Sequence, residues 1–251
     1  MSEFSIRSMT AADRLEVAEL ICLSTNVWYQ AHGHGLIFPG GPDTTTFHVD
    51  IYQALEGSSG IVAVDDRTGR LIGSCFQHIR PTHVSLGIMN VHPNHFGRGV
   101  AGALLRAIVA TAEGLNKPVR LVSSAMNLDS FSLYTRAGFV PRCAYQDMLV
   151  KVPEAGLSVS LTGTGLLRDA CATDVAAMAA LELDVSGIRR DGDYAHFIAN
   201  PEGVWHVSVC ERAGGGLDGF LVSCGHPGCT MVGPGVMRED DVAAALLARE
   251  L

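Results

Sequence analysis

A framework of paired cysteines, a basic excess and an apolar run long enough to cross a bilayer are all absent from this 251-residue sequence. Its seven cysteines, Cys22, Cys75, Cys143, Cys171, Cys210, Cys224 and Cys229, are scattered through apolar surroundings, and an odd count points to reduced thiols rather than a disulfide scaffold. The formal net charge of −8 argues against a nucleic-acid partner, which needs a clustered basic surface. The most apolar helical stretch, Val100 to Leu115, is interrupted by Arg106 and Glu113 and is too short for a membrane span. The opening MSEFSIRSMT is polar with an early acid, so no secretory leader is read. Cys224-Gly-His226-Pro-Gly-Cys229 lacks a second pair at ligand spacing, so it reads as a Gly/Pro turn and no metal is expected. These gaps together predict a cytoplasmic protein, monomer or homodimer, with no membrane partner. The 47% hydrophobic content is ample for a packed core in one or two domains.

What is there falls into two similar pieces. Ile6-Arg-Ser-Met-Thr-Ala-Ala-Asp13 has a partner in Leu167-Arg-Asp-Ala-Cys-Ala-Thr-Asp174, each reading as a short strand, a turn and a helix with Asp in its first turn. Downstream, Gly69-Arg-Leu-Ile-Gly73 echoes Gly215-Gly-Leu-Asp-Gly219, both between apolar runs that read as hairpin strands. Two echoes in the same order argue for duplication. The predicted division is 1–152, a connector at 153–165 rich in small residues, and 166–251.

In the first piece, the pattern predicts a strand, two helices, hairpin strands around 61–64 and 71–76, and a strand over 83–91. A long helix over 99–115 follows, then a strand at 119–124, a helix at 130–137 and a strand at 143–152. Antiparallel strands followed by alternating strand and helix give an α/β fold: a mixed, mostly antiparallel sheet with helices on both faces. The second piece repeats this order only as far as a helix over 240–251, as a smaller domain of the same type.

The stretch VHPNHFGRGVAGALL, residues 91–105, leaves a strand and enters a helix with no capping side chain. A helix start carries free N–H groups and partial positive charge, which suit an anion such as phosphate. Gly97 and Gly99 let the backbone approach an oxygen, Arg98 adds charge, and Ala101 and Gly102 keep the first turn thin. An ordinary tight turn would have the same glycines.

In context, Val91-His92-Pro93-Asn94-His95-Phe96-Gly97-Arg98-Gly99-Val100-Ala101 resembles the acyl-CoA-binding motif of the GNAT superfamily of N-acetyltransferases. Phe96 stands where that family usually has Arg or Gln. Further on, Asn127-Leu-Asp-Ser130-Phe-Ser-Leu-Tyr134-Thr-Arg-Ala-Gly138-Phe139 resembles a second motif of the same family. The likeness covers residues 4–152 and persists as an echo in the second piece, an arrangement similar to tandem-GNAT proteins. It implies acetyl-CoA as co-substrate, held by Phe96, Gly97, Arg98, Gly99, Val100, Ala101 and Gly102 at its diphosphate. It also implies contacts along Met89, Asn90 and Val91, and at Asn127, Ser130 and Tyr134.

Acetyl transfer to an amine needs a deprotonated amine, an oxyanion donor and an acid for the thiolate. The resemblance casts Tyr134 as that acid and the Val91 N–H as the oxyanion donor. His78, His83, Asn90 and Glu113 are the candidate bases, with water as the alternative. A small-molecule amine acceptor is expected among Trp28, Tyr29 and His78, in a pocket that the loop bearing His32, His34 and Phe38 completes. The same aromatics would equally serve to pack against the second piece. There, Met231 to Asp241 is read as the corresponding turn; Pro234 lacks an N–H, and Glu239, Asp240 and Asp241 repel phosphate. A non-catalytic acyl-CoA sensor of the same fold is the alternative. A dinucleotide enzyme is disfavoured, since no Gly-x-Gly-x-x-Gly opens the first strand-to-helix turn.

Overall fold

The structure is a computed structural model that describes residues 3–156 and 166–251. Most of the predicted connector, 157–165, lies outside the described residues. The first half runs β1 (Phe4–Ser8), α1 (Arg14–Ala31), α2 (Pro42–Ala54), β2 (Ser58–Asp65), β3 (Leu71–Ile79) and β4 (Val84–Val91). It continues with α3 (Val100–Gly114), β5 (Val119–Arg120) and α4 (Leu128–Arg136). The strands form one sheet in the order β1-β2-β3-β4-β5, antiparallel except for the parallel β4–β5 pair. Apolar residues alternate between its faces, as the two-residue strand period requires. Val62, Leu71 and Phe76 meet Val17 and Ile21 of α1 and Val49 of α2, while Ala63, Ile72 and Cys75 meet Leu104 and Ile108 of α3.

The second half comprises β6 (Leu167–Asp169), α5 (Val175–Ser186), α6 (Asp191–Ala199), β7 (Trp205–Glu211), β8 (Leu217–His226), β9 (Cys229–Met237) and α7 (Asp240–Glu250). Its four strands form a separate antiparallel sheet in the order β6-β7-β8-β9. The two halves share two local details. Arg7 forks onto Asp13 at 2.7 and 2.8 Å, and Arg168 onto Asp174 at 2.7 and 2.9 Å. A Cβ on Gly73 would come within 2.7 Å of Val100 Cγ1, and one on Gly219 within 2.7 Å of Val242 Cγ1. In both halves the strand gives up a side chain so that the long helix can lie against it.

The Arg7 fork holds the Asp13 carboxyl well below the usual carboxylate range, and the Arg168 fork does the same for Asp174. A depressed carboxylate stabilises the fold above its unfolded pKa of about 4 and loses that contribution as pH falls toward the folded value. Arg7 is 43% exposed, so solvent screening trims the pair. Asp13→Asn is expected to cost about 1–2 kcal/mol at pH 7 and clearly less at pH 2, measured by urea unfolding. An equal loss at both pH values would remove the pair from the account.

The halves share a continuous core through α2. Ile51 and Leu55 on that helix pack with Met178, Tyr194, Phe197, Trp205 and Phe220 of the second half. Phe47 stacks on His226 with ring centroids 3.9 Å apart and lies 6.2 Å from the Trp205 ring. Thus α2, and not the Trp28 to Phe38 stretch, supplies the aromatic seam between halves. Beside it, Arg80 of the β3–β4 turn pairs with Asp193 of α6 at 2.8 Å, both side chains buried.

Three expectations need correction. No strand forms at 143–152: the β4–β5 ladder ends at Arg120, so the segment has no paired edge to join, and Tyr145, Met148 and Leu149 stay exposed. The strand expected at 119–124 shrinks to two residues for the same reason. In the second half, Gly233-Pro234-Gly235 lies inside β9 rather than in a turn. Met237 pairs with Gly219 as Val91 pairs with Gly73, so the whole glycine turn between Val91 and Val100 is replaced there by a short link ending in Glu239.

Candidate active site

β4 and β5 pair only at Val84–Val119 and Ser85–Arg120 and then part. From Leu86 to Val91, β4 keeps β3 on one side and, among the described residues, has no strand on the other. His92 N–H donates to Ile72 O at 2.9 Å, toward β3. Alternation therefore turns the peptide groups of Met89 and Val91 to the unpaired edge, while those of Asn90 face β3. Parted strands leave backbone donors and acceptors that a ligand lying in the gap can use.

Beyond Val91, a short 3₁₀ turn at Pro93–His95 brings the chain to the glycine turn. Gly97 has φ +73° and Gly99 φ +82°, the left-handed region where a Cβ is penalised, and a Cβ at either would meet nothing within 4 Å. The turn is therefore open, and its glycines answer to backbone conformation rather than to crowding. Among the described residues, the N–H groups of Gly97, Gly99, Val100, Ala101 and Gly102 have no partner in the protein. The amides of Phe96 and Arg98 are used internally, to Pro93 O at 3.2 Å and His95 O at 3.4 Å. Of the expected diphosphate contacts, these two are the amides already engaged. The Phe96 ring is half exposed, and the Arg98 side chain is exposed 3.9 Å from Glu3. Beside the turn lies an open cleft of about 670 Å³ lined by Glu3, Asp65, Asp66, Arg67, Asn94 and Arg98.

Tyr134, on α4, is 8% exposed and packs in the core under α3 with Cys75 and Leu86, its ring 5.8 Å from Phe139. Burial pushes its phenol up to about 12, so it stays protonated throughout the working range. No protein group hydrogen-bonds its hydroxyl among the described residues, which is unusual for a buried tyrosine. Met89 and Val91 lie at the margin of the same cluster, which puts Tyr134 on the side of the sheet where β4 parts from β5.

Asn127 caps α4: its Oδ1 accepts the Ser130 N–H at 3.0 Å, and Ser130 Oγ donates back to Asn127 O at 3.0 Å. The helix begins at Leu128, not Ser130, and these two side chains serve its start.

The candidate bases divide sharply. His78 is buried between Ser58, at 2.6 Å, and the Tyr52 ring, and burial pushes it down to about 3. It shares no contact with Trp28 or Tyr29. His83, held between Thr82 and Ser85, is pushed down to about 4 by burial first and then by Arg120 and other cations. Imidazoles so shifted are weak bases. Glu113 is exposed at the C-terminal end of α3, roughly 20 Å along the helix from the glycine turn at 1.5 Å per residue. Asn90 binds α1 instead: its Nδ2 donates to Ser24 Oγ at 2.6 Å, and its Oδ1, like Ser74 Oγ opposite it, is sealed without a partner. None of these is placed as an accessible base.

Trp28 and Tyr29, 5.2 Å apart and edge-on, stand with His32 and His34 at the end of α1. Phe38 turns away to His48 at 5.4 Å. Sequence reasoning missed Asp129, whose carboxylate accepts from Trp28 Nε1 at 3.4 Å across 101 positions; no local pattern signals such a pair. Among the described residues, no group of three His, Cys, Asp or Glu side chains is arranged for a metal, and no helix is long and apolar enough to cross a membrane.

Residues 56–141 match the sequence model of the acetyltransferase (GNAT) domain. A putative acetyltransferase from Pyrococcus horikoshii shares the fold across the whole chain, with TM-score 0.71, 16% identity and 76% of its own length covered. A transcriptional regulator from Bacillus halodurans matches 59% of this chain and 99% of its own, at TM-score 0.47 and 15% identity. An acetyltransferase from Trypanosoma brucei matches 59% and 99%, at TM-score 0.42 and 20% identity. No curated protein matches the sequence.

Proposed function

We propose that this protein is an N-acetyltransferase that moves an acetyl group from acetyl-CoA to the primary amine of a small molecule, a reading supported by the match of residues 56–141 to the acetyltransferase (GNAT) domain model. The observation that carries the reading is the run of unpartnered N–H groups at Gly97, Gly99, Val100, Ala101 and Gly102, beside a strand whose edge is open from Leu86 to Val91. An anionic diphosphate satisfies the amides, and the helix dipole of α3 adds to its hold. The open peptide groups of Met89 and Val91 pair with the pantetheine arm as a further strand would.

In the reaction the ammonium group first gives a proton to water, the neutral amine attacks the thioester carbon, and the nitrogen passes a second proton to water as the amide forms. The Val91 N–H donates to the oxygen that gains charge. As the carbon–sulfur bond breaks, Tyr134 gives its phenolic proton to the departing thiolate and recovers one from solvent. The products are an amide and free coenzyme A. The second half, whose strand-to-helix link has lost the glycine turn and carries Glu239, Asp240 and Asp241, holds no cofactor and acts as a structural partner. Free thiols at all seven cysteines suit a reducing, cytoplasmic setting.

Calorimetry with acetyl-CoA tests the reading. The wild type is expected to bind, and Gly99→Val, which forces a β-branched side chain into the left-handed region and disturbs the first amides, is expected to raise Kd by about 10- to 100-fold, the worth of one or two charge-assisted hydrogen bonds. No heat of binding with the wild-type protein would end the proposal. Tight binding with no turnover on any amine would favour a sensor over an enzyme.

A further inference from the structure

The last turns of α1 cross the opening between β4 and β5. Asn90 Nδ2 donates to Ser24 Oγ at 2.6 Å and Thr25 Oγ1 at 3.4 Å, which ties the helix to β4. One turn later Trp28 Nε1 donates to Asp129 Oδ2 at 3.4 Å, in the first turn of α4, the helix that follows β5. Trp28 in turn belongs to a run of aromatic rings: it stacks on His32 at 4.0 Å and meets Tyr29 edge-on at 5.2 Å, and Tyr29 meets His34 at 5.8 Å.

The fold does not use this carboxylate. α4 is already capped by Asn127, Asp129 is exposed, and its one bond to Trp28 is long. An exposed carboxylate beside an electron-rich indole attracts a cation twice, through charge and through the ring quadrupole. The same pair repels a ligand that presents a carboxylate of its own.

Resting on the acetyl-transfer reading, we propose that Trp28, Tyr29 and Asp129 form the acceptor subsite for a dicationic amine, whose second, non-reacting ammonium group pairs with Asp129 and lies against Trp28. The proposal makes Asp129 a specificity-determining residue, and it assigns the acceptor to small di- or polyamines rather than amino acids.

Two measurements test it. Tetramethylammonium, which cannot be acetylated, is titrated into the protein at constant ionic strength while tryptophan fluorescence is followed. The chain has two tryptophans and Trp205 is buried, so a saturable change reports Trp28. It is expected in the wild type and lost in Asp129→Asn. In parallel, Asp129→Asn is expected to raise KM for 1,4-diaminobutane about tenfold, and to leave KM for benzylamine and the Kd for acetyl-CoA unchanged. Tetramethylammonium that fails to saturate, or that binds Asp129→Asn as it binds the wild type, overturns the subsite whether or not the protein has turnover. Intact cation binding with no acetylation of any amine sinks the transfer reading alone.

Discussion

Tyr134→Phe is expected to lower kcat for acetyl transfer by about 10²- to 10³-fold, the range of a positioned general acid, while the Kd for acetyl-CoA stays within about twofold. The split follows from the place of the side chain. The ring fills core space beside Cys75, Leu86 and Phe139, and phenylalanine fills the same space. The hydroxyl has no protein partner to lose, so folding stability should move by less than about 1 kcal/mol. Only the proton for the thiolate disappears.

The pH profile sharpens this test. Burial raises the Tyr134 phenol to about 12, so the acid form persists as pH rises through the range in which amines deprotonate. The wild-type rate should therefore climb from pH 6 toward pH 10 and show no falling alkaline limb there. His78 and His83, held down to about 3 and about 4, are already neutral at pH 6 and contribute no inflection. A falling limb near pH 9, or a Phe variant with wild-type kcat, would remove Tyr134 from the proton-transfer role.

How far the sequence could be read depended on whether a feature was local. The glycine turn, much of the element order and the paired strand-turn-helix echoes were legible because glycine conformation and apolar period are written in consecutive residues. Segment 143–152 has strand-like composition, but a strand needs a partner, and β5 offers a ladder of two residues. Pro234 was assigned to a turn because its glycine neighbours imitate one; the register of β8 and β9 places it within a strand instead. At the candidate site, Trp28 and Tyr29 were visible as an aromatic cluster, whereas Asp129 and the burial of His78 are products of tertiary packing. The seam between halves was invisible for the same reason: Phe47, Arg80 and Asp193 carry no motif, and His226 reads only as part of a Gly/Pro turn.

The second large effect is expected at that seam. Asp193→Ala should cost about 3–5 kcal/mol in urea unfolding, because truncating one partner of a buried pair strands the other charge. Arg80 and Asp193 are both about 5% exposed, and burial alone pulls the guanidinium down and the carboxyl up. Arg80 also donates to Glu56 O at 2.7 Å, its own carbonyl accepts from Lys117 Nζ at 2.6 Å, and nearby Arg189 N–H bonds Thr82 Oγ1 at 3.0 Å. These contacts gather on the β3–β4 turn, immediately before Val84 and Ser85, where β4 and β5 hold together. The second half therefore braces the closed end of the gap that opens toward Val91. Loosening that brace should raise the KM for acetyl-CoA, because the spacing of β4 and β5 at the gap depends on the end where they stay paired. Arg80→Met with Asp193→Leu together should recover most of the stability, because well-packed apolar residues replace a buried ion pair at little cost. An Asp193→Ala protein that unfolds within about 1 kcal/mol of the wild type would mean that the halves do not lean on this pair, and that the sheet's closed end needs no outside support.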